Sequence, residues 1–268
     1  MKIAGIQFSC SDDKEKNTEK ACKMMDLAVE GGARIICFQE LFNLSWFPRG
    51  RDDSAFRLAE ELSGPVVERI RARAEELGAV VVLPFFEKAD DRYYNSCAVI
   101  DADGRVAGVY RKIHVPDIPL WEEKFYFSAG NLGFPVFHTG HGRIGVQISW
   151  DNLFPEASRI LALKGADILF APTACAFKSQ HIWQTVITSN AITNGLFVMR
   201  VNRVGSEGSH DFYGMSFSAS PEGELIAGPT GRADGIMLAD IDRDKLAEIR
   251  REWPIMKERR PDLYAEIL

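Results

Sequence analysis

No stretch of this sequence approaches the uninterrupted apolar length of a membrane span, and the opening MKIAGIQFSC meets the charged SDDKEK too soon for a secretory core. No targeting or membrane segment is expected, and a cytoplasmic location is. Lys and Arg never form a block. With 32 of them against 38 Asp and Glu, the formal charge of −6 denies nucleic acid or an anionic membrane the attraction either needs, so neither is expected as a partner. C-x-x-C spacing is missing as well. The 5 cysteines, Cys10, Cys22, Cys37, Cys97 and Cys175, sit mostly in apolar runs, where a reduced thiol packs as a small hydrophobe. Metal-ligand spacing is absent too: His138 and His141 flank Thr139-Gly140 with no Cys or carboxylate placed to join them. With 22 Gly and 12 Pro in 268 residues, a collagen-like or low-complexity chain is excluded.

What is present is an ordinary core-forming composition, 46% hydrophobic and 26% charged, read as a single domain over residues 1–268. KIAGIQF reads as a strand. The helical spacing of Ala21, Met24, Met25 and Ala28 follows it and stops at Gly31 and Gly32. RIICF is a short apolar run suited to a strand buried on both faces. Pro65, Val67, Ile70, Ala74 and Leu77 then mark a helix ending at Gly78. AVVVLPFF, NSCAVID and RVAGVY read as strands that turn the sheet antiparallel. The second half repeats the pattern, with RIGVQI, a helix over Pro155 to Lys164, ADILFAP, a helix over His181 to Asn194, and LFVMRVN. Two βαβαβ-like halves predict a layered α/β architecture, in one sheet or two. Residues 242–268 begin as a capped helix and continue into an aromatic and basic tail, expected to dock either on a second subunit or on the chain's own domain.

Two patterns mislead. Gly140, Gly142 and Gly145 spell the dinucleotide fingerprint, but the apolar run follows the glycines instead of preceding them, so a hairpin turn is expected. Ser11 and Lys14 spell S-x-x-K, a nucleophile pattern, yet they stand before a helical segment, where Ser11 is expected as an N-cap.

Three residues share a position that carries more information. Glu40, Lys112 and Ser149 each lie where a predicted strand stops, and in layered α/β proteins ligands bind beyond the carboxyl ends of strands. A carboxylate, an ammonium and a hydroxyl delivered there can converge on one pocket.

The flanks of these residues, FQELFNLSWFPRGRD, YRKIHVPD, EEKFYFSAGNLGF and GVQISWDNLFPEASRILALKGADILF, together with NRVG and FYGMSF later in the chain, resemble the nitrilase superfamily of carbon-nitrogen hydrolases. The resemblance covers essentially the whole chain. It implies an αββα sandwich, subunits that pair as homodimers or larger assemblies, no metal or organic cofactor, and a Glu-Lys-Cys triad with a second Glu beside it. By position these are Glu40, Lys112, residue 149 and Glu123. Ser149 stands where family members carry cysteine. Three readings follow: a Cys-to-Ser substitution that disables the nucleophile, a protein that only binds, or a serine amidase with Glu40 as base. The family pattern around Glu40, Lys112 and Glu123 favours the first.

QELF with its aromatic continuation, EKFYF, and Trp-Asp-x-x-Phe-Pro-Glu after position 149 are most similar to N-carbamoylputrescine amidases. That similarity implies a small linear N-carbamoyl amine or amide as substrate, with an aliphatic nitrile as the nearest rival. Phe42, Trp46, Phe127 and Trp150 are candidates to wall a slim pocket, or else ordinary core aromatics. Thr173, His114 and His181 are further candidates for substrate contact.

Overall fold

In the computed structural model, which describes residues 1–176 and 179–267, the first half runs β1 (Lys2–Gln7), α1 (Lys14–Glu30), β2 (Ala33–Phe38), α2 (Pro65–Leu77), β3 (Val80–Ala89), β4 (Arg92–Ile100), β5 (Val106–Arg111) and the short α3 (Glu123–Tyr126). The second half runs β6 (Phe137–Thr139), β7 (Gly142–Val146), α4 (Pro155–Leu163), β8 (Ile168–Thr173), α5 (Gln180–Asn194) and β9 (Phe197–Asn202). After these come β10 (Val204–Glu207), β11 (His210–Tyr213), β12 (Phe217–Ala219), β13 (Leu225–Ala227), β14 (Gly235–Asp240) and α6 (Arg243–Glu252). None of the described helices is long and apolar enough to cross a membrane.

The question of one sheet or two is settled as two large sheets, beside which β10 and β11 form a two-stranded hairpin. One 6-stranded sheet has the order β14-β1-β2-β3-β4-β5, and the other has the order β13-β12-β9-β8-β7-β6. Each has a parallel centre, β1-β2-β3 or β7-β8-β9, from which β4 and β5 or β6 and β12 extend antiparallel. The strands of the parallel centre are buried on both faces, which is why they read as continuous apolar runs. One set of faces, with Ile3, Ile35 and Val82 opposite Val146, Ile168 and Met199, forms the seam between the sheets. At Gly5 an added Cβ would lie 2.9 Å from Val201 Cγ2, so the missing side chain lets the sheets close. The outer face of the first sheet buries Ala21, Met25, Val67 and Ile70 of α1 and α2, and that of the second buries Leu161, Ile187 and Ala191 of α4 and α5. The layers are therefore helix, sheet, sheet, helix.

The glycine fingerprint forms the turn of the β6–β7 hairpin, with Thr139 paired to Gly142. Asp242 caps α6, whose Arg250 bonds Asp167 and the carbonyls of Ala166 and Gly195 on the chain's own second half. One expectation needs correcting. The N-cap of α1 is Asp13, whose carboxylate accepts from the N–H groups of Glu15 and Lys16, while the Ser11 hydroxyl donates to Asn17 in the first turn. A carboxylate next to the helix start answers both the unpaired N–H groups and the positive end of the dipole, which a hydroxyl two residues earlier cannot reach. Asp13→Ala should lower stability by about 1 kcal/mol and Ser11→Ala by less. Urea melts showing the reverse order would return the cap to Ser11.

Candidate active site

Lys112 follows the last residue of β5, and its ammonium is fully buried. An isolated charge there would be prohibitive. Two carboxylates compensate it: Nζ lies 2.6 Å from Glu123 Oε2 and 2.9 Å from Glu40 Oε1, and Asn95 Nδ2 donates to the same Glu40 oxygen at 2.8 Å. The second Glu40 oxygen, Oε2, is buried without a hydrogen-bond partner among the described residues. Burial alone would push the Lys112 ammonium down, but Glu123 and Glu40 outweigh it and hold the pKa above that of an ordinary lysine. Burial pushes the Glu123 carboxyl up; Lys112 pulls it back, Glu40 pushes it up again, and the net displacement is upward.

Ser149 enters from the other sheet. It opens a 3-10 turn, Ser149–Leu153, directly after the β7 run, with φ at 46°, a left-handed conformation that costs a serine energy. Neighbouring side chains hold it there. Asn152 Nδ2 donates to the Ser149 carbonyl at 2.9 Å, and the buried Asp151 carboxylate accepts from the Ile148 N–H, from Tyr110 and from the His114 backbone. The loop carrying Glu40 has the same design. Leu41 has φ at 49°, and the buried Arg203 donates to the carbonyls of Glu40, Leu41 and Leu44 while pairing with Glu207, which accepts from the Trp46 N–H.

Ser149, Trp150 and Glu123 line one cavity of about 240 Å³, whose other walls include Trp121, Trp183, Cys175, Ile118 and Leu153. Wider clefts exist, up to about 910 Å³ beside α5 and the β10–β11 hairpin, but this small cavity is the one that joins Ser149 to the buried charges. It is smaller than a drug-sized pocket and mostly apolar, which suits a short linear molecule.

Comparison with known proteins agrees with the fold. The carbon-nitrogen hydrolase family matches residues 2–251. The chain belongs to that family. It is 40% identical to an N-carbamoylputrescine amidase of Solanum tuberosum over 99% of this chain and 94% of that protein. It is 38% identical to a citrullinase of Francisella tularensis subsp. tularensis over 100% of this chain and 98% of that one. A solved carbon-nitrogen hydrolase from Helicobacter pylori G27 superposes with a TM-score of 0.94 at 34% identity, covering 100% of this chain and 98% of that one.

In this hydrolase the residues expected at the site divide into groups. Glu40, Lys112 and Glu123 touch one another, and Glu123 shares the cavity with Ser149 and Trp150. Trp46 packs behind Trp121 with ring centroids 4.9 Å apart, and Phe127 packs edge-on against Phe86 at 5.2 Å, so both support the walls from the core. Phe42 stacks on Phe38 in the layer of α1 and α2. His114 anchors the turn through Asp151 and stacks on Phe154, the Thr173 hydroxyl is spent on the Ala171 carbonyl, and His181 lines the wider cleft. Sequence reasoning passed over Asn95, Asp151, Asn152, Arg203 and Glu207. Asp151, Asn152 and Arg203 lay inside motifs already quoted, SWDNLF and NRVG, and gave no other signal.

Removing one member of the buried ion cluster leaves an uncompensated charge. Lys112→Met should therefore cost about 3–5 kcal/mol in urea unfolding, and a loss under 1 kcal/mol would show that the cluster is not buried in solution. Glu123 adds a pH signature. Its folded carboxyl lies above the unfolded value of about 4.3, so the stability tied to it is complete below that value and is lost as pH rises toward the folded one. Glu123→Gln should flatten the fall in urea midpoint between about pH 5 and about pH 8; an unaltered slope would mean that Glu123 titrates like a solvated carboxyl.

Proposed function

We propose that this hydrolase is built to cleave a small linear N-carbamoyl amine or amide through a nucleophile at position 149, releasing ammonia, and that Ser149 makes this chain a nucleophile-disabled form. The observation that carries the reading is the buried Glu40 oxygen left without a partner beside a fully compensated lysine. A carboxylate oxygen kept bare in a dry site is poised to accept a proton. The relatives named as an N-carbamoylputrescine amidase and a citrullinase support a ureido substrate, since both names refer to a carbamoylated nitrogen.

In the cysteine form, Glu40 takes the thiol proton and the sulfur bonds to the carbonyl carbon. Lys112 and the backbone N–H of Trp150 stabilise the oxyanion. The bond to the terminal nitrogen breaks, Glu40 returns the proton, and ammonia leaves a thioester. Water, deprotonated by the same carboxylate, attacks that carbon and frees the sulfur; from a ureido substrate the product is a carbamic acid, which loses carbon dioxide to give the amine. Glu123 holds Lys112 in register. A hydroxyl at position 149 lacks the acidity of a thiol, whose ordinary pKa is about 8.5, and no histidine stands in its motif to relay the proton.

Serine at the nucleophile position also favours a second reading, a silent binding protein, and one assay separates the two. Ammonia release by Ser149→Cys and by this chain should be compared across N-carbamoyl amines, ω-amides and aliphatic nitriles. Turnover of a ureido or amide substrate by the cysteine form, at least about 100-fold above this chain, is expected. Silence of both on every class would overturn the hydrolytic reading, and turnover of nitriles alone would replace it with a nitrilase. In the active form Glu40→Gln should abolish turnover while the far-ultraviolet spectrum is retained; unchanged turnover would remove Glu40 as base.

A further inference from the structure

Behind one wall of the cavity lies a charge that the proposed mechanism does not use. Arg200, at the centre of β9, is fully buried, and no carboxylate among the described residues lies within ion-pairing distance of it. Every other wholly buried cation described above has such a partner: Lys112 has Glu40 and Glu123, and Arg203 has Glu207. The hydrogen bonds of the Arg200 guanidinium are to neutral oxygens, the Tyr213 hydroxyl at 3.0 Å and, weakly, the Met215 carbonyl at 3.4 Å, and its Nε has no partner among the described residues. Removing a guanidinium from water without an anion is costly, and aromatic faces recover only part of the loss.

The location of this charge gives it a direction. Its Cζ lies 5.2 Å from the centroid of the Trp183 ring, and Trp183 lines the cavity that holds Ser149. Cys175, on the same wall, is close enough for the guanidinium to pull its thiol down against the larger upward push of burial. On the other side, Tyr213 and Met215 line the wider cleft. Arg200 thus stands in the partition between the two spaces, with Cys175 and Trp183 between it and the small cavity. Among the described lining residues of the small cavity, the one acid is Glu123, and Lys112 already engages it. No other carboxylate stands among the described lining residues to meet a cationic tail; Glu40, whose charge also reaches Cys175, is bonded to Lys112 behind the lining, and Arg200 stands behind the wall with no carboxylate partner among the described residues.

We infer that Arg200 is a specificity determinant that selects substrates with a carboxylate at the end remote from the scissile bond, such as an ω-ureido acid or the ω-amide of a dicarboxylic acid, and disfavours an ω-amino tail. The inference rests on the hydrolytic reading above and narrows it. A field across a low-dielectric wall acts on the bound ground state and the transition state alike, so the preference should appear in Kd and KM and leave kcat little altered.

Three ligands of matched length test it by calorimetry on this chain with Ser149 in place: 4-ureidobutyrate, N-butylurea and 4-aminobutylurea. The acid should bind at least about tenfold tighter than the neutral urea, and the amine at least about tenfold weaker. Arg200→Lys, which keeps the charge, should preserve the order, and Arg200→Met should bring the three dissociation constants together. If Arg200→Met does not fold, the ranking on the unaltered chain still decides. Binding of all three with equal affinity, or tightest binding of the amine, overturns the role of Arg200 and leaves the hydrolytic reading standing. Failure of all three to bind, together with silence of Ser149→Cys on them, overturns both.

Discussion

A buried ammonium is the constraint from which the rest of this site follows. Lys112 sits where water cannot reach it, and its desolvation is tolerable only if anions are delivered within hydrogen-bond distance. Those anions come from separate stretches of chain, Glu40 after β2 and Glu123 at the start of α3. Satisfying one charge therefore fixes two strand ends and the start of α3 against one another. Asn95 on β4 adds a fourth point by donating to Glu40. The rim of the first sheet is thereby tied together around one buried charge.

Strain is concentrated at the same places. Leu41 and Ser149, one from each sheet, both adopt left-handed backbone conformations that side chains with a Cβ avoid. Each is clamped by polar groups buried for that purpose, Arg203 on the first loop, and Asp151 with Asn152 on the second. Arg203 is a β-strand neighbour of the second sheet reaching the loop of the first, so the two halves are coupled at the site and along the apolar seam. A clamp of this kind holds a side chain at one position in a dry pocket, which a flexible loop could not do.

Much of this was legible because it is periodic. The strands of both parallel centres are continuous apolar runs, the helices show their buried stripe, and Glu40, Lys112 and Ser149 stand where runs end. What could not be read depends on long-range pairing. Arg203 bonds carbonyls about 160 positions earlier in the chain, and nothing local marks it as more than one arginine among many. Asp151 is equally silent until Tyr110 and His114 are seen to converge on it. For Trp46 and Phe127 both readings stay open in the sequence: aromatic composition predicts burial, but not which side of a wall a ring occupies. At Asp13 the local rule was right in kind and misplaced by two residues, since several polar residues in a row compete for one cap.

An intact Glu40-Lys112-Glu123 cluster does not by itself prove that turnover has been selected. Breaking any member costs stability, so a protein that only bound a ligand would keep the cluster as part of its fold. The bare Glu40 oxygen argues further. A structural role for Glu40 is complete once Oε1 meets Lys112 and Asn95; leaving Oε2 buried and unbonded adds cost without adding stability. Groups left unsatisfied in this way are characteristic of sites that complete their bonding with a substrate or a proton. The same reasoning applies to Arg200, whose guanidinium is fully buried and has no carboxylate partner among the described residues. Two unmet electrostatic needs therefore lie behind the lining of one small cavity, one for a proton and one for a negative charge, and the substrate proposed above is the short molecule that carries both groups.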